Sequence, residues 1–251
     1  MAKICRLFIL GNYSRKFEDA RDILKKVSEL DFKAGYFITP GGFIEIPWKF
    51  NNFEEAVREA KIWAEKLLSG VEINADCITV CVDSYSGASL KNPHIELVGV
   101  YDGEWHFTGK SYPTIEQERG LIRASLESHF LELRDRVMIL GCHDLNIFNP
   151  RSIKNSKGWR RELNEKFREL AINFKPEIVL HHPHYTDSKR IWLVAWKNLE
   201  RMLPSVKHYA SSSVYYREGG ERSSLEDVLR ATKKGDVSEI LYGNLNAPAT
   251  N

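Results

Sequence analysis

The pattern of apolar and polar positions changes period several times along the chain. Runs of consecutive apolar residues predict buried strands, and longer segments with apolar residues three and four positions apart predict amphipathic helices. Strands are expected at residues 4–10, 36–39, 77–82, 95–101, 137–140, 178–180, 209–216 and 240–242. Helices are expected at residues 17–30, 53–67, 115–133, 159–174, 191–202 and 225–232.

This alternation of strands and helices predicts an α/β fold built from layers around a mixed sheet. The strands at residues 77–82 and 95–101 are joined by a polar loop, so we expect them to be antiparallel neighbours. The sequence contains no internal repeat and no linker that would divide it. We therefore expect one α/β domain over residues 1–243 and a flexible C-terminal tail over residues 244–251.

Composition and charge narrow the class of protein. The 36 basic residues are interspersed with 34 acidic ones and form no basic stripe, which argues against a nucleic-acid partner. No apolar run reaches the roughly 18 residues of a membrane helix. The apolar part of the first twelve residues is too short for a signal peptide, so we expect a cytoplasmic protein with reduced cysteines.

Reactive side chains follow the apolar run at residues 137–140. Cys142, His143 and Asp144 follow it after a single glycine, Gly141, and ligands of open α/β sheets bind at the carboxyl ends of strands. A lone buried cysteine is more often structural than catalytic. The upstream Lys110 favours the catalytic role, because a lysine beside a thiolate stabilises both the thiolate and the oxyanion that forms after attack.

Several motifs together resemble the nitrilase or carbon-nitrogen hydrolase superfamily. They are LGCHDL followed by FNP at residues 140–150, DGEW leading to GKSYP at residues 102–113, and Glu118 before Arg119. The resemblance extends over residues 3–218. It implies a layered αββα sandwich of mixed β-sheets flanked by helices, a possible homodimer, and hydrolysis of an amide or nitrile of a small molecule with neither metal nor cofactor.

The resemblance also implies roles for individual residues. Cys142 is the expected nucleophile, and Lys110 is expected to stabilise the tetrahedral intermediate. Glu118 or Glu45 is expected to position or deprotonate the groups that take part in the reaction. One departure stands out, because Gly41 occupies the position of the superfamily's first catalytic glutamate, and Glu45 is the candidate replacement. Substrate contacts are expected from four further side chains, His143, His182, His184 and Tyr185.

Three alternatives to a thiol-dependent hydrolase of this superfamily remain open at this point. His181, His182 and His184 lie near Asp187, and alternate residues of an extended segment face one side, as zinc or manganese ligands would. This cluster would suit a metal-dependent phosphoesterase or nuclease, although no Asp-x-His motif precedes it. The second alternative is a catalytically silent nitrilase-like binding protein, because of the glycine at position 41. The third is an α/β domain that is unrelated to the superfamily.

Overall fold

The computed structural model describes residues 2–46, 50–84, 89–186, 188–215 and 223–243, apart from the side chains of Lys189 and Ile191. The helices in these ranges are α1 (Phe17–Ser28), α2 (Phe53–Leu68), α3 (Pro150–Asn155), α4 (Trp159–Phe174), α5 (Lys189–Met202) and α6 (Leu225–Ala231), with two short 3₁₀ helices at Leu126–His129 and Asp144–Phe148. Among the described residues, no helix combines the length and apolar character needed to cross a membrane. The predicted tail at 244–251 lies outside the described residues.

The strands are β1 (Ala2–Leu10), β2 (Ala34–Ile38), β3 (Ile44–Ile46), β4 (Ala75–Ser84), β5 (Glu96–Tyr101), β6 (Trp105–Gly109), β7 (Phe130–Glu132), β8 (Arg136–Gly141), β9 (Ile178–His182), β10 (His208–Ser211), β11 (Ser213–Tyr215), β12 (Lys233–Lys234) and β13 (Val237–Gly243). Eight of them form one sheet in the order β11-β1-β2-β4-β5-β6, with β13 also beside β1 and β3 beside β4. β1, β2 and β4 are parallel, whereas β4, β5 and β6 are antiparallel neighbours, so the expected pairing across the polar loop is confirmed.

The other five strands form a second sheet in the order β12-β10-β9-β8-β7. Side chains of β8 alternate between its two faces, as in any strand. Val137 and Ile139 pack in a core shared with the eight-stranded sheet and helices α1 and α2, while Met138 and Leu140 pack against residues of α4 and α5. Both faces of β8 are therefore buried, which explains its uninterrupted apolar run and confirms the mixed, layered αββα architecture.

One predicted helix is wrong. Residues 115–133 form turns, a 3₁₀ helix and β7 instead of a regular helix. Gly120 packs so tightly that a Cβ atom there would lie 2.3 Å from the carbonyl oxygen of Asn92. Further along, the buried His129 ring contacts the carbonyl oxygen of Ile139 at 2.7 Å. Tertiary contacts with neighbouring segments override the helical spacing of the apolar residues here.

Candidate active site

Five side chains from different strand ends meet in one cavity. Asp83 is near the end of β4, Glu96 begins β5, Lys110 follows β6, Cys142 follows β8, and His184 comes two residues after β9. All five line a cavity of about 650 Å³. Because β5 runs antiparallel to β4, its first residue lies at the same sheet edge as the end of β4. The site therefore occupies the sheet edge where α/β proteins place ligands.

His184 lies between two carboxylates. Its Nε2 atom is 2.6 Å from Asp83 Oδ2, and its Nδ1 atom is 3.9 Å from Glu96 Oε2. Burial by itself lowers the pKa of His184, but Asp83, the Cys142 sulfur and Glu96 outweigh burial and raise that pKa well above its ordinary value. These three neighbours therefore favour the protonated, cationic form of the ring.

Lys110 is buried in a polar cluster on the opposite side of Glu96. Its Nζ atom lies 3.0 Å from Glu96 Oε1 and donates to Gln117 Oε1 at 2.6 Å, and the Gln117 amide donates in turn to the same Glu96 oxygen. Burial raises the pKa of Glu96, but Lys110 and His184 overcome this effect and lower it to about 2. A lysine ammonium has three N–H donors, so these contacts leave one for a ligand.

Cys142 is 7% exposed and lines the cavity. Its Sγ atom accepts from the main-chain N–H of His184 at 3.5 Å. Burial raises the pKa of Cys142, but the charges and side-chain hydrogen bonds of His143 and His184 prevail and lower it well below its ordinary value. These neighbours favour the thiolate, which is the nucleophilic form of cysteine.

Asp144 joins the cysteine segment to the lysine segment. Its buried carboxylate accepts from the main-chain N–H groups of Gly141 at 2.8 Å, Ser111 at 2.9 Å and Tyr112 at 2.7 Å. Gly141 permits this close approach, because a Cβ atom there would lie 3.0 Å from the Cα atom of Lys110. These contacts fix the backbones that carry the two reactive side chains.

Three other predicted residues reach the cavity. His143, Glu45 and Tyr185 all line it. Glu45 pairs with Arg15 at 3.6 Å, and Arg15 also donates to the Tyr185 hydroxyl at 3.2 Å. Glu45 therefore faces a guanidinium in this structure.

Two predicted residues do not line the cavity. The carboxylate of Glu118 accepts from Trp159 Nε1 at 2.7 Å and from Arg160 at 3.4 Å, outside the cavity. His182 is buried, and its Nδ1 atom donates to the carbonyl oxygen of Thr39 at 2.8 Å. The structure thus separates Glu118 and His182 from the cluster around Cys142.

The turn at Gly41 and Gly42 packs directly against the site. A Cβ atom on Gly41 would lie 2.4 Å from the carbonyl oxygen of His182, so any side chain there requires the backbone to move. A Cβ atom on Gly42, where φ is +58°, would lie 2.8 Å from Asp83 Oδ2 and 2.9 Å from His184 Cδ2. The two glycines therefore make room for the Asp83–His184 pair, at the position where the resemblance to the nitrilase superfamily leads one to expect a glutamate.

The histidine cluster contributes no metal site in the part of the chain that the structure describes. Both ring nitrogens of His181 have protein partners, Ser211 Oγ at 2.9 Å and the carbonyl oxygen of Cys142 at 3.0 Å. No group of three or more His, Cys, Asp or Glu residues among the described positions could hold a metal ion. Asp187 lies outside those positions.

Sequence reasoning missed Asp83, Glu96 and Gln117. Asp83 ends the apolar run of β4, and Glu96 lies between the buried residues Ile95 and Leu97. A carboxylate among buried apolar residues is costly unless it is paired. Acidic residues inside strand-like apolar runs were therefore the available signal for these two positions.

Comparison with known proteins gives a fold and no close relative. No protein-family model matches the chain, and no curated protein matches its sequence. Nit3 of Saccharomyces cerevisiae, a member of branch 10 of the nitrilase superfamily, is 10% identical with a TM-score of 0.50, over 86% of this chain and 74% of that one. The NitFhit protein of C. elegans is 13% identical with a TM-score of 0.45, over 89% of this chain and 55% of that one. The chain has a nitrilase-like fold.

Proposed function

We propose that this protein hydrolyses a carbon-nitrogen bond, in an amide or a nitrile, of a small molecule and that Cys142 is the nucleophile. The observation that carries the proposal is the position of Cys142. It lines the cavity at the end of a central strand, beside two histidines that lower its pKa well below that of a free thiol. Thiols in such electropositive surroundings attack carbonyl and nitrile carbons.

Lys110 supports the same chemistry. It lines the cavity with Cys142, and the nearby sulfur is one of the charges that raise its pKa. Its remaining N–H donor suits the oxygen that becomes negative when the thiolate attacks an amide carbonyl. A preorganised donor of this kind acts where charge develops in the transition state, and removal of one such donor costs roughly 10²- to 10³-fold in kcat.

The size of the cavity supports a small substrate. Its volume is about 650 Å³, within the range of about 300–1,000 Å³ typical of small-molecule sites. Its walls combine charged groups with the apolar surfaces of Leu90 and Trp192. A metabolite-sized amide or nitrile fits such a site.

The test is a panel of small amides and nitriles incubated with the purified protein, with released ammonia or amine as the readout. Cys142→Ser should abolish turnover. Cys77→Ser is the matched control, because Cys77 is a buried strand cysteine that does not line the cavity. Mass spectrometry of the quenched reaction should find the acyl group on the peptide that contains Cys142.

Three outcomes would contradict the proposal. Turnover that survives Cys142→Ser would show that Cys142 is not the nucleophile. Turnover that a chelator abolishes favours metal chemistry. An absence of turnover and of acylation across the whole panel favours a binding protein without catalysis.

A further inference from the structure

We infer that His184, oriented by Asp83, transfers the protons of the reaction in place of the glutamate that nitrilase-like sequences carry at the position of Gly41. This inference rests on the proposed function, since it assigns the proton donor and acceptor of that same site. It makes the catalytic group a Cys142–His184–Asp83 triad. Asp83 is a positioning residue in this group, because it acts through His184.

The geometry has the features of a nucleophile, a base and an orienting acid. The main-chain N–H of His184 donates to the Cys142 sulfur at 3.5 Å, which places this residue beside the thiol, and its ring donates from Nε2 to Asp83 Oδ2 at 2.6 Å. The second contact fixes the ring orientation, as an orienting carboxylate does in catalytic triads. Other titratable and charged groups surround the triad: Glu96 at 3.9 Å from His184, Arg15 at 3.9 Å from Asp83, and His143 and Lys110, which interact with Cys142.

Space near the site also favours this assignment. A glutamate at position 41 would bring its Cβ atom into the main chain at His182, and a side chain at position 42 would collide with Asp83 and His184. The turn that would carry the missing glutamate instead packs against the histidine and the aspartate. The packing that excludes a glutamate at position 41 is therefore the same packing that accommodates His184 and Asp83.

The proton balance of amide hydrolysis closes with this triad. The Cys142 thiolate forms a bond to the carbonyl carbon, and the C=O electron pair moves to the oxygen beside Lys110. The carbonyl re-forms as the C–N bond breaks, and the His184 imidazolium gives its proton to the departing amine. In the second half, neutral His184 takes a proton from water, the hydroxide attacks the thioester carbon, and the C–S bond breaks. The acid leaves, and the thiolate and imidazolium are restored.

A purely structural role for His184 would be to fill the space between Asp83 and Glu96. That structural role would not make the ionisation of Cys142 depend on the ring. Alkylation by iodoacetamide separates the two roles, because the thiolate is the reacting form. The rate at Cys142, located by mass spectrometry, is measured between pH 5 and pH 10 in the native protein and in His184→Gln.

The chain supplies a matched control pair. His106 lies 3.2 Å from Asp102 at a surface hairpin, and neither residue lines the cavity. Loss of the imidazolium raises the thiol pKa in His184→Gln, and each unit of that rise lowers the thiolate fraction tenfold. We expect alkylation at pH 6 to be at least about tenfold slower in His184→Gln, to recover at pH 10 where the thiol ionises by itself, and to be unchanged in His106→Gln.

The outcomes distinguish this inference from the proposed function. Fast alkylation below pH 7 in both the native protein and His184→Gln overturns the triad and leaves Cys142 as a nucleophile. Slow alkylation of Cys142 in the native protein overturns both the triad and the proposed role of Cys142 as the nucleophile. Slow alkylation in His184→Gln that recovers at pH 10 supports the triad.

A second measurement covers the case in which His184→Gln does not fold. NMR titration of the histidine rings compares the native protein with Cys142→Ser. One ring should titrate at lower pH once the thiolate is absent, and the same ring should shift to lower pH in Asp83→Asn. Ring titrations that are identical in the native protein and Cys142→Ser would overturn the triad.

Discussion

Asp83 and Glu96 lie directly opposite each other in the antiparallel ladder of β4 and β5. Like charges in that arrangement destabilise a sheet, and both carboxylates are largely buried. The structure balances them with two cations, since His184 contacts both carboxylates and Lys110 contacts Glu96. The charge pattern of the candidate site is thus a consequence of strand register.

Replacement of Glu96 by glutamine should destabilise the protein strongly. Lys110 is only 2% exposed and would lose its carboxylate partner. Removing one member of a buried ion pair typically costs about 3–5 kcal/mol. Urea unfolding measures the loss. Glu116→Gln is the control, because Glu116 is an exposed residue of the same cavity, and surface substitutions stay within about 0.5 kcal/mol. Equal stability of the two variants would contradict this account of Lys110.

Replacement of Gly42 by alanine should impair both stability and Cys142 reactivity. The new Cβ atom would press on Asp83 and His184, in addition to adopting a positive φ. Gly70→Ala is the control, because Gly70 also has a positive φ, +71°, but no atom within 4 Å of the added carbon. The control should lose about 1–2 kcal/mol from backbone strain alone.

Urea unfolding and iodoacetamide alkylation at pH 6 separate the two effects. Slower alkylation is expected in Gly42→Ala and not in Gly70→Ala. A Gly42→Ala protein that reacts at the native rate would mean that this turn does not hold the Asp83–His184 pair in place.

The buried His182 should make the protein sensitive to mild acid. Burial lowers the pKa of His182 to about 4, against 6.5 for an unperturbed histidine. Between these two values the unfolded chain binds a proton that the folded chain does not, so stability falls as the pH falls from 6.5 towards 4. The slope approaches about 1.4 kcal/mol per pH unit for one such group.

The free energy of unfolding, measured in urea across this pH range, tests the effect. His182→Gln keeps an amide N–H for the Thr39 carbonyl and does not titrate, so its stability should fall less steeply than that of the native protein. His106→Gln, at the surface, should retain the native slope. Identical slopes in His182→Gln and the native protein would contradict the role of His182.

The sequence pattern predicted the parts of the fold that depend on local burial. The run at residues 137–140 is apolar on both faces because β8 lies between another sheet and a layer of helices, so a strand was predictable there. The helix expected at residues 115–133 was wrong, because contacts of Gly120 and His129 with distant segments determine that backbone. Periodicity does not report such contacts.

The candidate site was predictable only in part. Cys142 and Lys110 follow strands directly, so their places at a sheet edge could be inferred from the chain alone. The partners of Lys110 could not be inferred in this way. Glu96 contacts Lys110 because of the register between β5 and β6, and Gln117 contacts it because of an irregular turn. The adjacent Glu118, singled out from the sequence, points instead to Trp159.

The measurement that tests the central claim most directly is alkylation of all four cysteines as a function of pH. Burial raises the pKa of Cys5 and Cys81 and raises that of Cys77 to about 11, whereas the histidines lower that of Cys142 despite burial. The account predicts that Cys142 alone reacts rapidly with iodoacetamide below pH 7. If Cys142 reacts no faster than the other three cysteines in the folded protein, it is not an activated nucleophile, and the proposed hydrolase is wrong.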